Sequence, residues 1–331
     1  MVVNKEGRFG FVDSTGKVVI GFDRLPNTTE DVGVFSEGLA AIFLKQGGAG
    51  GYQVGYIDET GQMVIAPQFF FGNPFAGGVA LVETQAGSRY INRRGEFVNP
   101  GTLTGSAGPK GLTLTREGFT DRSGKLVISG YGFLEPFTEG LAAVVNGRGL
   151  DARYGFINMK GKLVIPFRFV PRREHHGFIA GLSHFSEGRA SVKLGERFGY
   201  INKKGKFVVP PQFIAADDFS EGLAFVASED KAGYIDKKGH WIILAQDRPY
   251  AGGKFKEGLA AVTFKTEHGI KMGYINQRGD VIIPPRFDYA GEFVDGIARI
   301  YETRNQSGRW KSSFGYIDKT GKYIWEPQSG P

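Results

Sequence analysis

One short pattern recurs nine times along the chain, and this repetition constrains the fold more than any other feature. It runs Gly10-Phe11-Val12-Asp13 to Gly16, Gly55-Tyr56-Ile57-Asp58 to Gly61, a weaker Arg89-Tyr90-Ile91-Asn92 to Gly95, and Gly118-Phe119-Thr120-Asp121 to Gly124. It continues as Gly155-Phe156-Ile157-Asn158 to Gly161, Gly199-Tyr200-Ile201-Asn202 to Gly205, and Gly233-Tyr234-Ile235-Asp236 to Gly239. The last two copies are Gly273-Tyr274-Ile275-Asn276 to Gly279 and Gly315-Tyr316-Ile317-Asp318 to Gly321. The spacing varies from 29 residues (Gly95 to Gly124) to 45 (Gly16 to Gly61), so the unit is fixed while its connections vary.

The residue chemistry defines a hairpin. Asp or Asn opens the turn by accepting a bond from the backbone two residues on, and the closing Gly supplies a positive φ. An aromatic-Ile-Asp strand precedes each turn, and β-branched runs such as Lys17-Val18-Val19-Ile20, Met63-Val64-Ile65 and Val281-Ile282-Ile283 follow it. Proline then marks the expected end of this second strand, at Pro67, Pro166, Pro210-Pro211, Pro284-Pro285 and Pro327, because it cannot donate to a ladder.

A second signature follows ten to twenty residues later, as in Phe35-Ser36-Glu37-Gly38-Leu39-Ala40 and Phe219-Ser220-Glu221-Gly222-Leu223-Ala224. Phe137, Phe185, Phe255 and Phe293 open further copies, and Phe75 opens a variant with Gly77 in place of the acid. It reads as an anchored turn opening a third strand. The repeat units are therefore 7–52, 53–88, 89–115, 116–152, 153–196, 197–231, 232–271 and 272–312, with a partial unit at 313–328, in a single β-repeat domain over 1–331. Residues 101–111 replace the anchored turn of the third unit, although Leu112-Thr113-Leu114 keeps its third strand. Composition agrees: 51 glycines, 28 phenylalanines and 13 tyrosines suit short strands and tight turns.

These motifs resemble the WG-repeat family of bacterial proteins, whose units combine a Gly-Tyr-Ile-Asp-x-x-Gly-Lys turn, a Val-Ile-Pro-Pro strand and a Phe-x-Glu-Gly-Leu-Ala segment. The resemblance covers residues 7–328 and departs from the family at its eponymous Trp, replaced before the first Gly by Phe9, Val54, Tyr154, Phe198, Ala232, Met272 or Phe314. It implies an all-β repeat module with interaction-based functions and no catalytic motif. Both chain ends carry the first two strands, residues 8–20 and 314–325. An open, curved or superhelical array of three-stranded meanders is therefore preferred, with a closed propeller-like ring as the alternative.

Signals for chemistry are sparse. The sequence has no cysteine, so thiolate metal sites and Cys nucleophiles are excluded, and it carries no zincin, nucleophile-elbow or phosphate-loop motif. Gly47-Gly48-Ala49-Gly50-Gly51 lacks a phosphate-binding Lys and reads as a hairpin loop, and the cluster His175, His176 and His184 reads as a solvated loop rather than a metal site. The recurring acids Glu37, Glu139, Glu187, Glu221, Glu257 and Asp295 are expected to bond backbone donors in their own turns. We expect no catalytic residue, no metal and no cofactor. Gly16, Gly61, Gly95, Gly124, Gly161, Gly205, Gly239, Gly279 and Gly321 are the structural positions of the repeat.

Basic residues concentrate at the hairpin tips. Of the 27 positions flanking the nine turn glycines, 15 are Lys or Arg, in a chain of formal net charge +7. Lys160, Lys162, Lys203, Lys204, Lys206, Lys237 and Lys238 form the densest stretch, a possible anion-binding rim, although basic tips also deter unwanted sheet pairing. The expectation is a non-enzymatic protein-interaction or scaffold module whose partner is a protein, with binding of a polyanion, glycan or nucleic acid, as the alternative. Partner specificity is expected in the long loops 21–34, 45–53, 168–184 and 302–313. No membrane span is expected. The chain should be cytoplasmic if it is complete and exported if a leader has been removed, while the sequence leaves oligomeric state open.

Overall fold

The computed structural model describes residues 2–5, 8–46, 51–76, 78–85, 87–98, 112–115, 118–121, 125–132, 135–147, 149–173, 179–245, 252–306 and 309–326. These form small antiparallel sheets, nine of three or four strands and one two-stranded ribbon, Arg172–Arg173 with Ile179–Gly181. Among the described residues there is no α-helix, only a 3-10 turn at Gly149–Asp151, so no helix is long and apolar enough to cross a membrane.

The sheet spanning residues 29–69 shows how the repeat folds. Strand Leu39–Lys45 pairs with Tyr52–Asp58, which pairs through the Asp58–Gly61 turn with Met63–Phe69. In seven sheets the strand behind the Phe-x-Glu-Gly turn or its variant pairs with the Gly-Tyr-Ile-Asp strand, so a sequence unit counted from one Gly-Tyr-Ile-Asp to the next spans parts of two sheets. In the fourth sheet, Thr113–Thr115 supplies that strand, as expected from Leu112-Thr113-Leu114. In the first, Val2–Lys5 supplies it, pairing Val2 with Phe11 although no repeat signature marks it.

Two expectations are corrected. The edge strands do not stop at proline: Met63–Phe69 runs through Pro67, and the register moves from Tyr56 opposite Ile65 to Val54 opposite Phe69. Three residues therefore bulge opposite Gly55, where a Cβ would lie 2.6 Å from the Ile65 carbonyl oxygen. The bulge removes the need for a proline N–H, and it explains the first glycine of the pattern. Likewise, residues 302–313 are largely strand, since Ile297–Gln306 and Arg309–Asp318 form a ten-residue hairpin.

Middle strands are largely buried, because sheets pack face to face on their neighbours. Alternate residues of Tyr52–Asp58 serve different cores. Tyr56 joins Phe75, Val82 and Ile91 of the following sheet, whereas Ile57 joins Phe11 and Ile20 of the preceding one. The same Tyr-or-Phe to Ile pairing holds for Phe156 with Ile201, Tyr200 with Ile235, Tyr234 with Ile275 and Tyr274 with Ile317. It also occurs between the last and first sheets, where Tyr316 and Val12 share a cluster with Phe22 and Trp325, whose rings lie 6.0 Å apart.

Each core is locked in the same way. The aromatic ring of the Gly-Tyr-Ile strand meets the anchor Phe leading into the next sheet in seven pairs with centroids 4.5–5.1 Å apart. The hydroxyls of Tyr56, Tyr200, Tyr234 and Tyr274 donate to the carbonyls of Asn73, Asp217, Gly253 and Gly291, two residues before that Phe, at 2.7–2.9 Å. Such aromatic pairs contribute about 0.5–1.5 kcal/mol beyond their buried area. Turn glycines complete the fit: at Gly205 (φ 76°) a Cβ would sit 3.0 Å from Ile165 of the preceding sheet.

Gly205→Ala should therefore lower the melting temperature more than Gly222→Ala. Both positions have positive φ, a conformation costing Ala about 1–2 kcal/mol, but a Cβ at Gly222 meets nothing within 4 Å. Equal losses in thermal unfolding would contradict this sheet-to-sheet fit.

Candidate functional site

Two places concentrate polar groups: the row of turns, and a cavity beside residues 172–184. At the hairpin tips, Asn202 Oδ1 accepts from the backbone N–H groups of Lys204 (3.0 Å) and Lys206 (3.1 Å), and Asp236 repeats this with Lys238 and His240. The turn Asp and Asn residues are thereby used locally. Gly124 and its turn lie outside the described residues, as do Gly47 to Gly50 and residues 101–111.

The Phe-x-Glu-Gly segments are two-residue hairpin turns. Ser186 and Arg189 exchange backbone bonds of 2.8 and 3.1 Å, with both central residues at positive φ. Glu37, Glu139, Glu187, Glu221, Glu257 and Asp295 all adopt φ of 50–53°, unusual for side chains of this size. The expectation that these acids bond donors of their own turns is corrected. Five of the six reach the next turn: Glu37 accepts from Gly78 N–H at 2.8 Å, Glu139 from Gly188 at 3.1 Å, and Glu187 from Gly222 at 3.0 Å. Glu221 accepts from Gly258 at 2.9 Å and Glu257 from Gly296 at 3.0 Å. Serines tie the same turns together, Ser186 Oγ donating to Phe219 O at 2.7 Å and Ser220 Oγ to Phe255 O at 2.6 Å.

This divides the basic tip residues into two sets. Lys203 pairs with Glu139 at 2.9 Å, Lys237 with Glu187 at 2.8 Å and Lys319 with Glu257 at 3.2 Å, while Gln277 donates to Glu221 at 3.1 Å. Where the preceding sheet has no such acid, this turn position is Glu59 after the first sheet and Met159 after the fourth, but Arg122 after the third. Burial opposes the charge of Glu139 and Glu187, but the paired lysine and the glycine N–H outweigh it and hold both carboxyls below their ordinary range. Lys160, Lys162, Lys204, Lys206 and Lys238 are exposed and form no side-chain ion pair among the described residues.

The cavity, about 310 Å³, is lined by Arg172, Ser183, His184, Asp217, Asp218 and Lys254, with Leu182 and Ser191 completing its wall. Ser183 and Ser191 are two of three buried polar residues in the described chain. Tyr154 donates to Ser183 Oγ at 2.9 Å, and Ser183 donates in turn to the Ser191 carbonyl. Of the three histidines grouped by sequence, His175 and His176 lie outside the described residues, and His184 pairs with Asp218 at 3.2 Å. No metal-ligating group of three is present among the described residues. Sequence reasoning missed Asp217, Asp218 and Lys254. Their signal was positional, since each occupies one of the two places before an anchor Phe, where other units carry Val34, Pro74, Pro136 or Glu292 directly before the ring.

The family model described as WG containing repeat matches residues 55–85, 118–148, 154–170, 198–231 and 272–302, so the repeat of this chain is the WG repeat, here without its Trp. No curated protein matches the sequence. Among solved structures, the chain is similar to a crystal structure of the eukaryotic initiation factor over 99% of its own length and 96% of that chain, at 12% identity and TM-score 0.61. It also matches an acylaminoacyl peptidase of Pyrococcus horikoshii over 90% of its length and 52% of that chain (10% identity, TM-score 0.45). The β-propeller domain of the Trilobed protease from Pyrococcus furiosus is matched over 88% and 95% (12% identity, TM-score 0.42). The first likeness is one of fold, and the other two are too remote to bear on function.

The carboxylate link between turns should be visible in acid. Since the carboxyls of Glu139 and Glu187 are depressed on folding, their contribution is complete above the ordinary carboxylate pKa of about 4.3 and lost as pH falls through their lower folded values. Glu187→Gln should melt lower than the parent at pH 7, with the gap narrowing by pH 3. A gap independent of pH would mean that the carboxylate charge contributes nothing.

Proposed function

We propose that this chain of WG containing repeats is a non-enzymatic protein-interaction module, a closed ring of nine sheets that presents the edges of those sheets to a protein partner. Closure is supported by the cluster joining Val12 and Tyr316, and by Gly16, where a Cβ would lie 2.3 Å from the Ile324 carbonyl oxygen. The first sheet carries its own Val2–Lys5 strand, so the termini meet face to face without exchanging a strand.

The observation carrying the interaction reading is what the repeat leaves exposed. Its recurring carboxylates, hydroxyls and many of its turn cations are spent on bonds between turns. By contrast, the strand after each hairpin is a sheet edge, and in four sheets its leading apolar pair faces solvent. Val18 and Val19, Met63 and Val64, Leu126 and Val127, and Val281 and Ile282 are 39–54% exposed. An edge strand offers unpaired backbone groups with side-chain pockets on either hand, the surface to which an extended peptide segment adds. A catalytic acid is needed once, whereas these features recur around the molecule.

Polyanion binding is a second reading, favoured by the five unpaired lysines Lys160, Lys162, Lys204, Lys206 and Lys238. One experiment separates the two: affinity capture with the full-length natural protein as bait, compared with Val64→Glu/Ile282→Glu and Lys204→Glu/Lys238→Glu variants. The interaction reading expects the edge-strand variant to lose its protein partners with little change in melting temperature, and the lysine variant to retain them. Loss confined to the lysine variant, together with release of nucleic acid or glycan by salt, would favour the polyanion. Full capture by the edge-strand variant would overturn the first reading.

A further inference from the structure

The cavity beside residues 172–184 is where three consecutive sheets depart from the repeat together. Ser183-His184 precedes Phe185, Asp217-Asp218 precedes Phe219, and Lys254 precedes Phe255. These are backbone positions fixed by the stitching between sheets: Asp217 N–H donates to Phe225 O at 3.0 Å, and its carbonyl accepts the Tyr200 hydroxyl at 2.7 Å.

The charges around the cavity are unequally satisfied. Asp218 Oδ2 takes both Lys254 (2.9 Å) and His184 (3.2 Å). Arg172 is committed elsewhere, donating to Ala216 O at 2.7 Å and lying 5.0 Å from the centre of the Phe198 ring. The Asp217 carboxylate is half-buried, lines the same space and has no hydrogen bond or ion pair among the described residues. Burial accordingly raises its pKa, against the pull of Arg172. A partly desolvated carboxylate on a rigid backbone, with the nearby cations occupied, is complementary to a cationic hydrogen-bond donor. The volume, about 310 Å³, lies at the lower limit of ligand-binding cavities and suits a single side chain.

We propose that this cavity is a socket for one basic side chain, arginine or lysine, of a polypeptide partner, with Asp217 as its counter-charge. The inference rests on the protein-interaction reading and adds an anchor point to it. The guanidinium or ammonium group pairs with Asp217 in the cavity, whose lining the Asp218-Lys254-His184 group shares.

Titration of the full chain with N-acetylarginine methylamide and N-acetyllysine methylamide, followed by NMR of the protein, tests the proposal. The citrulline analogue serves as a neutral control and inorganic phosphate as an anionic one. At least one cationic probe should bind about tenfold or more tightly than citrulline, with Asp217→Asn losing that preference. Without any probe, Asp217→Asn should melt higher than the parent, because an unpaired carboxylate is removed, while Asp218→Asn should melt lower, because two ion pairs are lost. Equal binding of arginine and citrulline analogues, no binding of either cation, preference for phosphate, or a lowered melting temperature for Asp217→Asn would each overturn the socket. None of these outcomes touches the edge-strand surface, whose own failure is read separately from the Val64→Glu/Ile282→Glu capture.

Discussion

The aromatic contact between consecutive sheets is the constraint on which the structure depends. A sheet of three short strands cannot bury its faces by itself, so it relies on packing against neighbouring sheets. The Tyr or Phe of one sheet meets the anchor Phe leading into the next, and in four cases the tyrosine hydroxyl also fixes the backbone of that lead-in. Once this contact is set, the Phe-x-Glu-Gly turns come into line. The acid of one turn can then reach the glycine N–H of the next and the tip lysine beside it, as Glu187 reaches Gly222 and Lys237. The unusual backbone of the glutamates is thus compensated by bonds that only correctly stacked sheets provide.

Much of this was legible in the sequence because it is local. The Asp-or-Asn turn, the positive-φ glycine and the third strand follow from the preferences of neighbouring residues, and even the degraded third unit kept a readable Thr113–Thr115 strand. What the sequence concealed depends on contacts between units. Nothing in Phe-Ser-Glu-Gly distinguishes an acid bonding its own turn from one bonding the next. Pro67 reads as a strand stop, and only the pairing with Gly55 reveals a bulge. Val2–Lys5 carries no repeat signature, yet its pairing gives the first sheet a third strand.

The same distinction sorts the candidate functional residues. The tip lysines looked equivalent in sequence, yet Lys203 and Lys237 are held by acids of the preceding turns while Lys204 and Lys238 stand unpaired. Recurring chemistry has been absorbed into the framework. The surface proposed for a partner consists of exposed apolar residues of the edge strands, the lysines without an ion pair among the described residues, and the cavity that brings Asp217, Asp218 and Lys254 together. Such departures carry more information about recognition than the repeat itself, because stacking does not require them.

The central proposal is that the stacking of consecutive sheets closes on itself and joins the last sheet to the first. Because the sequence has no cysteine, a Thr15→Cys/Lys322→Cys double variant can be spin-labelled at these two positions alone. Thr15 and Lys322 are exposed and adjoin the Gly16–Ile324 contact. Pulsed electron resonance should give a short and narrow distance distribution that lengthens on adding Trp325→Ala. A long or broad distribution in the parent would contradict closure and limit the stitching to an open array.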